Sequence, residues 1–167
     1  MNTRVYPFFI LVAVFCCMQL SVAHPRTGGD SVSVTQEKFD PKHNPAVDLQ
    51  YAIVDAKKSG RRILLDVGGE WCKWCHRLDS VFAMNPDIAD FMHKYYVVLK
   101  VNFSPENEND VFLSKYPEVA GYPHLFVLDA DGTLLHSQDT GALEAGRKHD
   151  PDKVRQFLKD WAPTTKR

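Results

Sequence analysis

The stretch Trp71-Cys72-Lys73-Trp74-Cys75-His76 follows directly on the apolar run Ile63-Leu64-Leu65-Asp66-Val67, and nothing else in the chain restricts its fold as much. An apolar run of that length reads as a buried strand. The two residues between Cys72 and Cys75 let both sulfurs sit in the first turn of a following helix, close enough to join. Taken alone, Cys-x-x-Cys-His fits a redox dithiol, covalent attachment of haem with His76 as axial ligand, or part of a zinc site. Zinc would need a fourth ligand, and the other histidines are dispersed. Haem would draw its second ligand from Met84 or Met92, which fall on helix faces where core packing is the commoner role.

The remaining cysteines, Cys16 and Cys17, lie in an N-terminal segment that reads as an address. Arg4 precedes an uninterrupted apolar run from Phe8 to Met18, and Ser21-Val22-Ala23 offers the small residues at which a signal peptidase cuts. The run is short of the roughly 20 apolar residues of a membrane span. Residues 1–23 are therefore expected to be a cleaved signal peptide, with no stable membrane insertion afterwards; retention as an anchor is the alternative. Phe15 argues against lipid attachment at Cys16. The terminal Thr164-Thr165-Lys166-Arg167 is no retention signal for the endoplasmic reticulum, so a periplasmic or secreted location is expected.

The 144 residues after Ala23 suit one domain with one core. With a formal net charge of −1, no run of Lys or Arg and no aromatics interleaved with basic residues, a nucleic-acid partner is not expected. Residues 24–43 are polar and read as a leader or linker, the domain proper as 44–163, and 164–167 as a tail. Asn44 can cap a helix that starts at Pro45, buries Leu49, Ile53 and Ala56 and stops at Gly60. The cysteine motif opens a helix with Leu78, Val81 and Phe82 inward. Asn85-Pro86 caps another, carrying Ile88, Phe91 and Met92. Tyr96 to Phe103 is a strand, and Asn109 to Tyr116 a helix ended by Pro117. Leu125 to Leu128 and Thr133 to Leu135 form a hairpin about Asp129-Ala130-Asp131-Gly132. Asp150 caps a last helix, begun by Pro151, with Val154, Phe157, Leu158 and Trp161 on one face. The order implies an α/β fold: a mixed sheet with helices on both faces.

From about Ile63 to the terminal helix, this chain resembles the thioredoxin family. Four features carry the likeness: Trp71-Cys72-x-x-Cys75 between strand and helix; Asp66 six residues before Cys72; Lys100 in Leu99-Lys100-Val101-Asn102; and Gly121-Tyr122-Pro123 leading into a strand. The resemblance implies a thioredoxin-like fold, a buried Asp66 approached by Lys100, and a cis Pro123 facing the cysteines, with the Tyr122 backbone offered to a substrate strand. Two departures stand out. Lys73-Trp74 replaces the usual Gly-Pro, and an extra loop runs from Glu144 to Asp150. The Trp-Cys-x-Trp-Cys style looks more like exported members than the cytosolic reductant.

These readings converge on an exported thiol-disulfide oxidoreductase. A structural staple gains by closing a long loop, and this one is among the shortest. Cys72, at the helix start where free N–H groups favour a thiolate, would attack; Lys73 adds positive charge. Cys75, one turn deeper, would resolve the mixed disulfide. Asp66 would move a proton to or from Cys75 if buried; at a solvated strand end it would not. Lys100 would moderate it, unless it is an exposed lysine on an alternating strand. Trp71 and Trp74 could rim the site, although Trp74 also suits plain packing, and His76 could tune the Cys72 thiolate. Protein or peptide disulfides are the expected substrates. No cofactor or metal is required, and a reductant in an oxidising compartment implies a membrane thiol donor. The alternatives are a peptide-binding, chaperone-like module without redox turnover and the c-type haem carrier.

Overall fold

Ile63 through Gly68 are buried at every position, which happens only to a strand covered on both faces and paired on both edges. In the computed structural model this strand, β1 (Arg62–Gly68), lies inside a four-stranded sheet of order β2-β1-β3-β4, with β2 at Tyr96–Asn102, β3 at His124–Leu128 and β4 at Leu134–Asp139. The structure describes Met1 and residues 38–164; the chain divides into Met1–Ser31 and Val32–Arg167, and the sheet with its helices belongs to the second unit. The expected signal segment and most of the expected leader and tail lie outside the described residues. Among the described residues, no helix is long and apolar enough to cross a membrane.

β1 runs parallel to β2 and antiparallel to β3, so the sheet is mixed. A parallel neighbour demands a crossover. Here α2 (Lys73–Met84) and α3 (Pro86–Tyr95) supply it, and the cysteines lie where it leaves β1. Alternation along the strands divides the core. Ile63, Leu65 and Val67 join Val97, Leu99, Val101, Phe126 and Leu128 under Ala52 and Ala56 of α1 (Pro45–Ser59). Leu64, Leu125 and Val127 face Leu78 and Val81 of α2, Ile88 and Met92 of α3, and Val154, Phe157 and Leu158 of α5 (Pro151–Asp160). Asp66 shares the parity of Leu64, so it points toward α2, and the register sets it opposite Lys100 on β2.

The caps form as the sequence implies. Asn44 accepts from the Ala46 and Val47 N–H groups at 3.0 and 3.4 Å, and Asp150 from those of Asp152 and Lys153 at 2.8 and 3.3 Å. Asn85 does not cap α3 with its side chain; its amide turns back to the Val81 carbonyl at 2.7 Å and closes α2 instead. The helix expected over Asn109 to Tyr116 is only α4, Asp110–Leu113, because Pro117 bars helical geometry at the residue before it. The extra loop contains a hairpin, β5 (Glu144–Ala145) and β6 (Lys148–His149), whose turn uses the positive φ of Gly146. Met84, expected to pack, is exposed as the last residue of α2.

Candidate active site

Beyond β1 the chain turns through Gly69, Glu70 and Trp71 into Cys72, the N-cap of α2. Cys72 and Cys75 are joined as a disulfide, and the Cys75 N–H donates to Cys72 Sγ at 3.0 Å. That bond and the helix start favour negative charge on Cys72 once the pair is reduced. Exposure does not separate the two, at 3% and 2%; position does. Cys75 faces inward onto Gly68, where a Cβ would lie 2.5 Å from its Sγ. Only glycine permits that approach.

Asp66 and Lys100 are both buried, so the exposed-lysine alternative fails. Helix α2 covers the strand face that alternation alone left open to water. Lys100 Nζ lies 3.3 Å from Asp66 Oδ2 and 2.7 Å from Asp79 Oδ1, so two carboxylates share one ammonium. Asp66 Oδ1 is buried without a hydrogen-bond partner. Burial raises the Asp66 pKa from 3.8 to about 6; Lys100 opposes the rise and Asp79 adds to it. For Lys100, burial pulls the pKa down, but the two carboxylates more than offset this. The acid is thus poised to exchange a proton near neutral pH while the lysine stays charged.

Opposite the cysteines the Tyr122–Pro123 peptide is cis, and the Pro123 carbonyl accepts from Thr140 Oγ1 at 2.5 Å. Tyr122 stacks on Phe103 at 4.6 Å and meets the edge of Trp71 at 5.9 Å. The Trp71 Nε1–H donates to the Phe103 carbonyl at 2.7 Å, which holds the ring while leaving it 57% exposed. Beside it opens a cavity of about 760 Å³ lined by Phe39, Pro41, Trp71 and Phe103, with Glu70 and Glu106 also in its wall. Trp74 turns the other way: it is half-buried, edge-on to His149 of β6 at 5.5 Å, with the Arg77 guanidinium 4.3 Å from its ring centre. Lys73 is exposed. His76 is exposed, and its Nε2 is 2.8 Å from the Glu70 carbonyl. With the sulfurs bonded to each other, the pair has the arrangement that dithiol-disulfide chemistry uses. Among the described residues no group of three His, Cys, Asp or Glu is placed to hold a metal.

Four participants escape the sequence reading. Asp79 follows Cys75 by one helical turn, a spacing that puts both on one face. Gly68 carries a signal in being a glycine inside a strand. Phe39, 1% exposed and clustered with the two cysteines, comes from the stretch read as leader, and His149 from the stretch read as loop.

The profile of the thioredoxin-like domain matches residues 49–148. The thiol:disulfide interchange protein DsbD of Citrobacter koseri is 30% identical over 119 residues, covering 70% of this chain and 20% of that protein. This chain thus spans about a fifth of the length of the curated relatives it matches. A disulphide isomerase from Xylella fastidiosa superposes with a TM-score of 0.64 at 22% identity, over 73% of this chain and 94% of that one. The reduced C-terminal domain of DsbD from Neisseria meningitidis gives 0.51 at 19%, over 70% and 96%. At those identities the structural likenesses speak to the fold.

Proposed function

The chain belongs to the thioredoxin-like domain family, and from that premise we propose that it is an exported thiol-disulfide oxidoreductase whose Cys72/Cys75 dithiol reduces disulfides in proteins or peptides. The observation that carries this is the Cys72–Cys75 disulfide at the start of α2, with a proton-accepting carboxyl behind it. The Cys72 thiolate attacks one sulfur of the substrate disulfide; a mixed disulfide forms and the other substrate sulfur leaves as a thiolate. Asp66 takes the proton of Cys75, whose thiolate attacks Cys72 Sγ. The second substrate sulfur then leaves, and the enzyme is left oxidised by two electrons. Pro123 and the Tyr122 backbone hold the substrate chain, and Trp71 with its cavity receives an apolar side chain of it. Trp74 forms the other rim.

A reductant is the favoured direction because two carboxylates against one ammonium leave net negative charge beside the dithiol when both are ionised. That charge disfavours the thiolate form and so favours the disulfide, which lowers the potential. Turnover then needs an outside dithiol, for which a membrane thiol carrier serves. The DsbD relatives are named for thiol:disulfide interchange, consistent with this role. Export rests on the apolar run before Ala23.

The test joins insulin reduction with the potential of the Cys72/Cys75 couple. Turnover and a potential near that of thioredoxin, about −270 mV, are expected; one near −120 mV would make the protein a disulfide donor. Cys75→Ser is expected to accumulate mixed disulfides with its partners and Cys72→Ser to accumulate none. Equal trapping by both would sink the assignment of roles.

A further inference from the structure

Phe39 precedes the residues matched by the family profile by ten positions, yet it is buried as deeply as the cysteines it clusters with. Two bonds tie its segment down. The Phe39 N–H donates to Glu70 Oε1 at 2.9 Å, and the Pro41 carbonyl accepts from Asn107 Nδ2 at 2.8 Å. The ring lies beside the space Gly68 leaves: a Cβ there would stand 3.2 Å from Phe39 Cζ as well as against Cys75 Sγ. Over the same ring, 4.1 Å from its centre, sits the Lys100 ammonium that pairs with Asp66. One side chain therefore touches the deeper cysteine's surroundings and the cation of the proton-handling pair.

We propose that Phe39 is a positioning residue of the dithiol site, a plug delivered from ahead of the matched domain that keeps water from Cys75 and the Asp66–Lys100 pair. Water exclusion is what holds a proton on a buried carboxyl. The aromatic face meanwhile replaces part of the hydration that the ammonium gives up. The charged groups acting on Asp66 are Lys100 from β2 and Asp79 from α2, and the apolar Leu125 stands opposite it on β3. Of the neighbouring acids on the plug's side, Glu70 is turned to the Phe39 N–H and Asp40 lies 3.8 Å from His43. Water admitted in place of the ring would hydrate both members of the pair. Asp66 would then surrender its proton at lower pH, and Cys75 would become open to reagents.

The plug deepens the proposed oxidoreductase function and rests on it for its catalytic consequence, but its test requires no turnover. In the reduced full chain carrying Cys72→Ala, alkylation with iodoacetamide from pH 5 to 9 is followed at Cys75 by peptide mass spectrometry, which separates it from Cys16 and Cys17. Asp66 is followed in parallel through its carboxyl carbon resonance. Phe39→Ala is expected to speed alkylation at least tenfold and to move the Asp66 midpoint down by at least about one pH unit. Phe39→Leu, which still fills the space, is expected to hold alkylation within about threefold of the parent. Parent-like titration and alkylation in folded Phe39→Ala, or a folded Phe39→Leu as leaky as Phe39→Ala, overturns the proposal. Should Phe39→Ala prove unfolded by circular dichroism, Glu70→Ala carries the comparison. It removes the acceptor that holds the plug and is expected to speed alkylation at least threefold; no change overturns the proposal. An inactive insulin assay with these shifts intact refutes the activity alone, and an active one without them refutes the plug alone.

Discussion

Replacing Asp66 by Asn should make the protein both more stable and slower at neutral pH. Folding raises the pKa of this carboxyl from 3.8 to about 6, so the folded state binds its proton more tightly than the unfolded chain. Above pH 6 the site is ionised at a cost. At 1.36 kcal/mol per unit, the difference is about 3 kcal/mol. The sign follows from proton counting: between pH 4 and 6 the folded state holds the proton and the unfolded one has lost it, so stability falls as pH rises. At pH 5 the slope is about 1 kcal/mol per pH unit, and it fades above pH 7. Asn keeps the volume and has no charge to bury, while Lys100 retains Asp79 at 2.7 Å. Urea unfolding of both proteins from pH 4 to 8 is the assay. The difference is needed rather than either curve, because burial lowers the pKa of His124 and His149, which makes acid destabilising there. Relative to Asp66→Asn, the native protein should lose about 2 kcal/mol between pH 4 and 7, the rest of the difference falling below pH 4. Parallel curves would refute the reasoning. At pH 7 the variant should resolve a preformed mixed disulfide at least about tenfold more slowly in stopped flow, since Asn accepts no proton from Cys75.

Gly68→Ala should destabilise the oxidised protein by about 1–3 kcal/mol, because its Cβ meets Cys75 Sγ at 2.5 Å and the Phe39 ring at 3.2 Å. An unchanged urea midpoint would show that β1 yields there at no cost. His149 is buried with neither ring nitrogen hydrogen-bonded, and burial, then Arg77, holds its pKa below 6.5. The unfolded chain therefore binds the proton better, and the stability this site contributes at pH 8 is lost as pH falls through 6.5. His149→Phe should remove that loss, so the native Tm should drop relative to the variant's on going from pH 8 to 5. Equal differences at both values would count against a buried neutral imidazole.

The sequence made the frame readable wherever one period or one cap decided the outcome. Asn44-Pro45 and Asp150-Pro151 start helices by local hydrogen bonding alone, and Ile63 to Val67 can be little other than a covered strand. The site was half readable. Cys72 and Cys75 announced themselves by spacing, whereas Lys100 sat at an alternating position whose cover, α2, only the fold supplies. Phe39 stands between Lys38 and Asp40, and a single aromatic among charges carries no periodicity. Asp79 lies in Arg77-Leu78-Asp79-Ser80, where a solvated helix face is the ordinary reading. His149, between Lys148 and Asp150, is buried by a hairpin that the local pattern does not announce.

Asp66 and Lys100 stand directly opposite one another across β1 and β2. Both strands are otherwise mostly apolar, and Val, Leu and Ile neighbours would tolerate several alignments. A slip of one residue would pair Asp66 with Leu99 or Val101 and turn every side chain of the strand to the other face. Asp66 would then be buried without its ammonium, at a penalty of several kcal/mol. The two residues that handle the proton also act as the key by which the parallel strands recognise their one correct alignment. Substitutions that neutralise both should therefore be judged for misaligned or aggregated product as well as for lost rate.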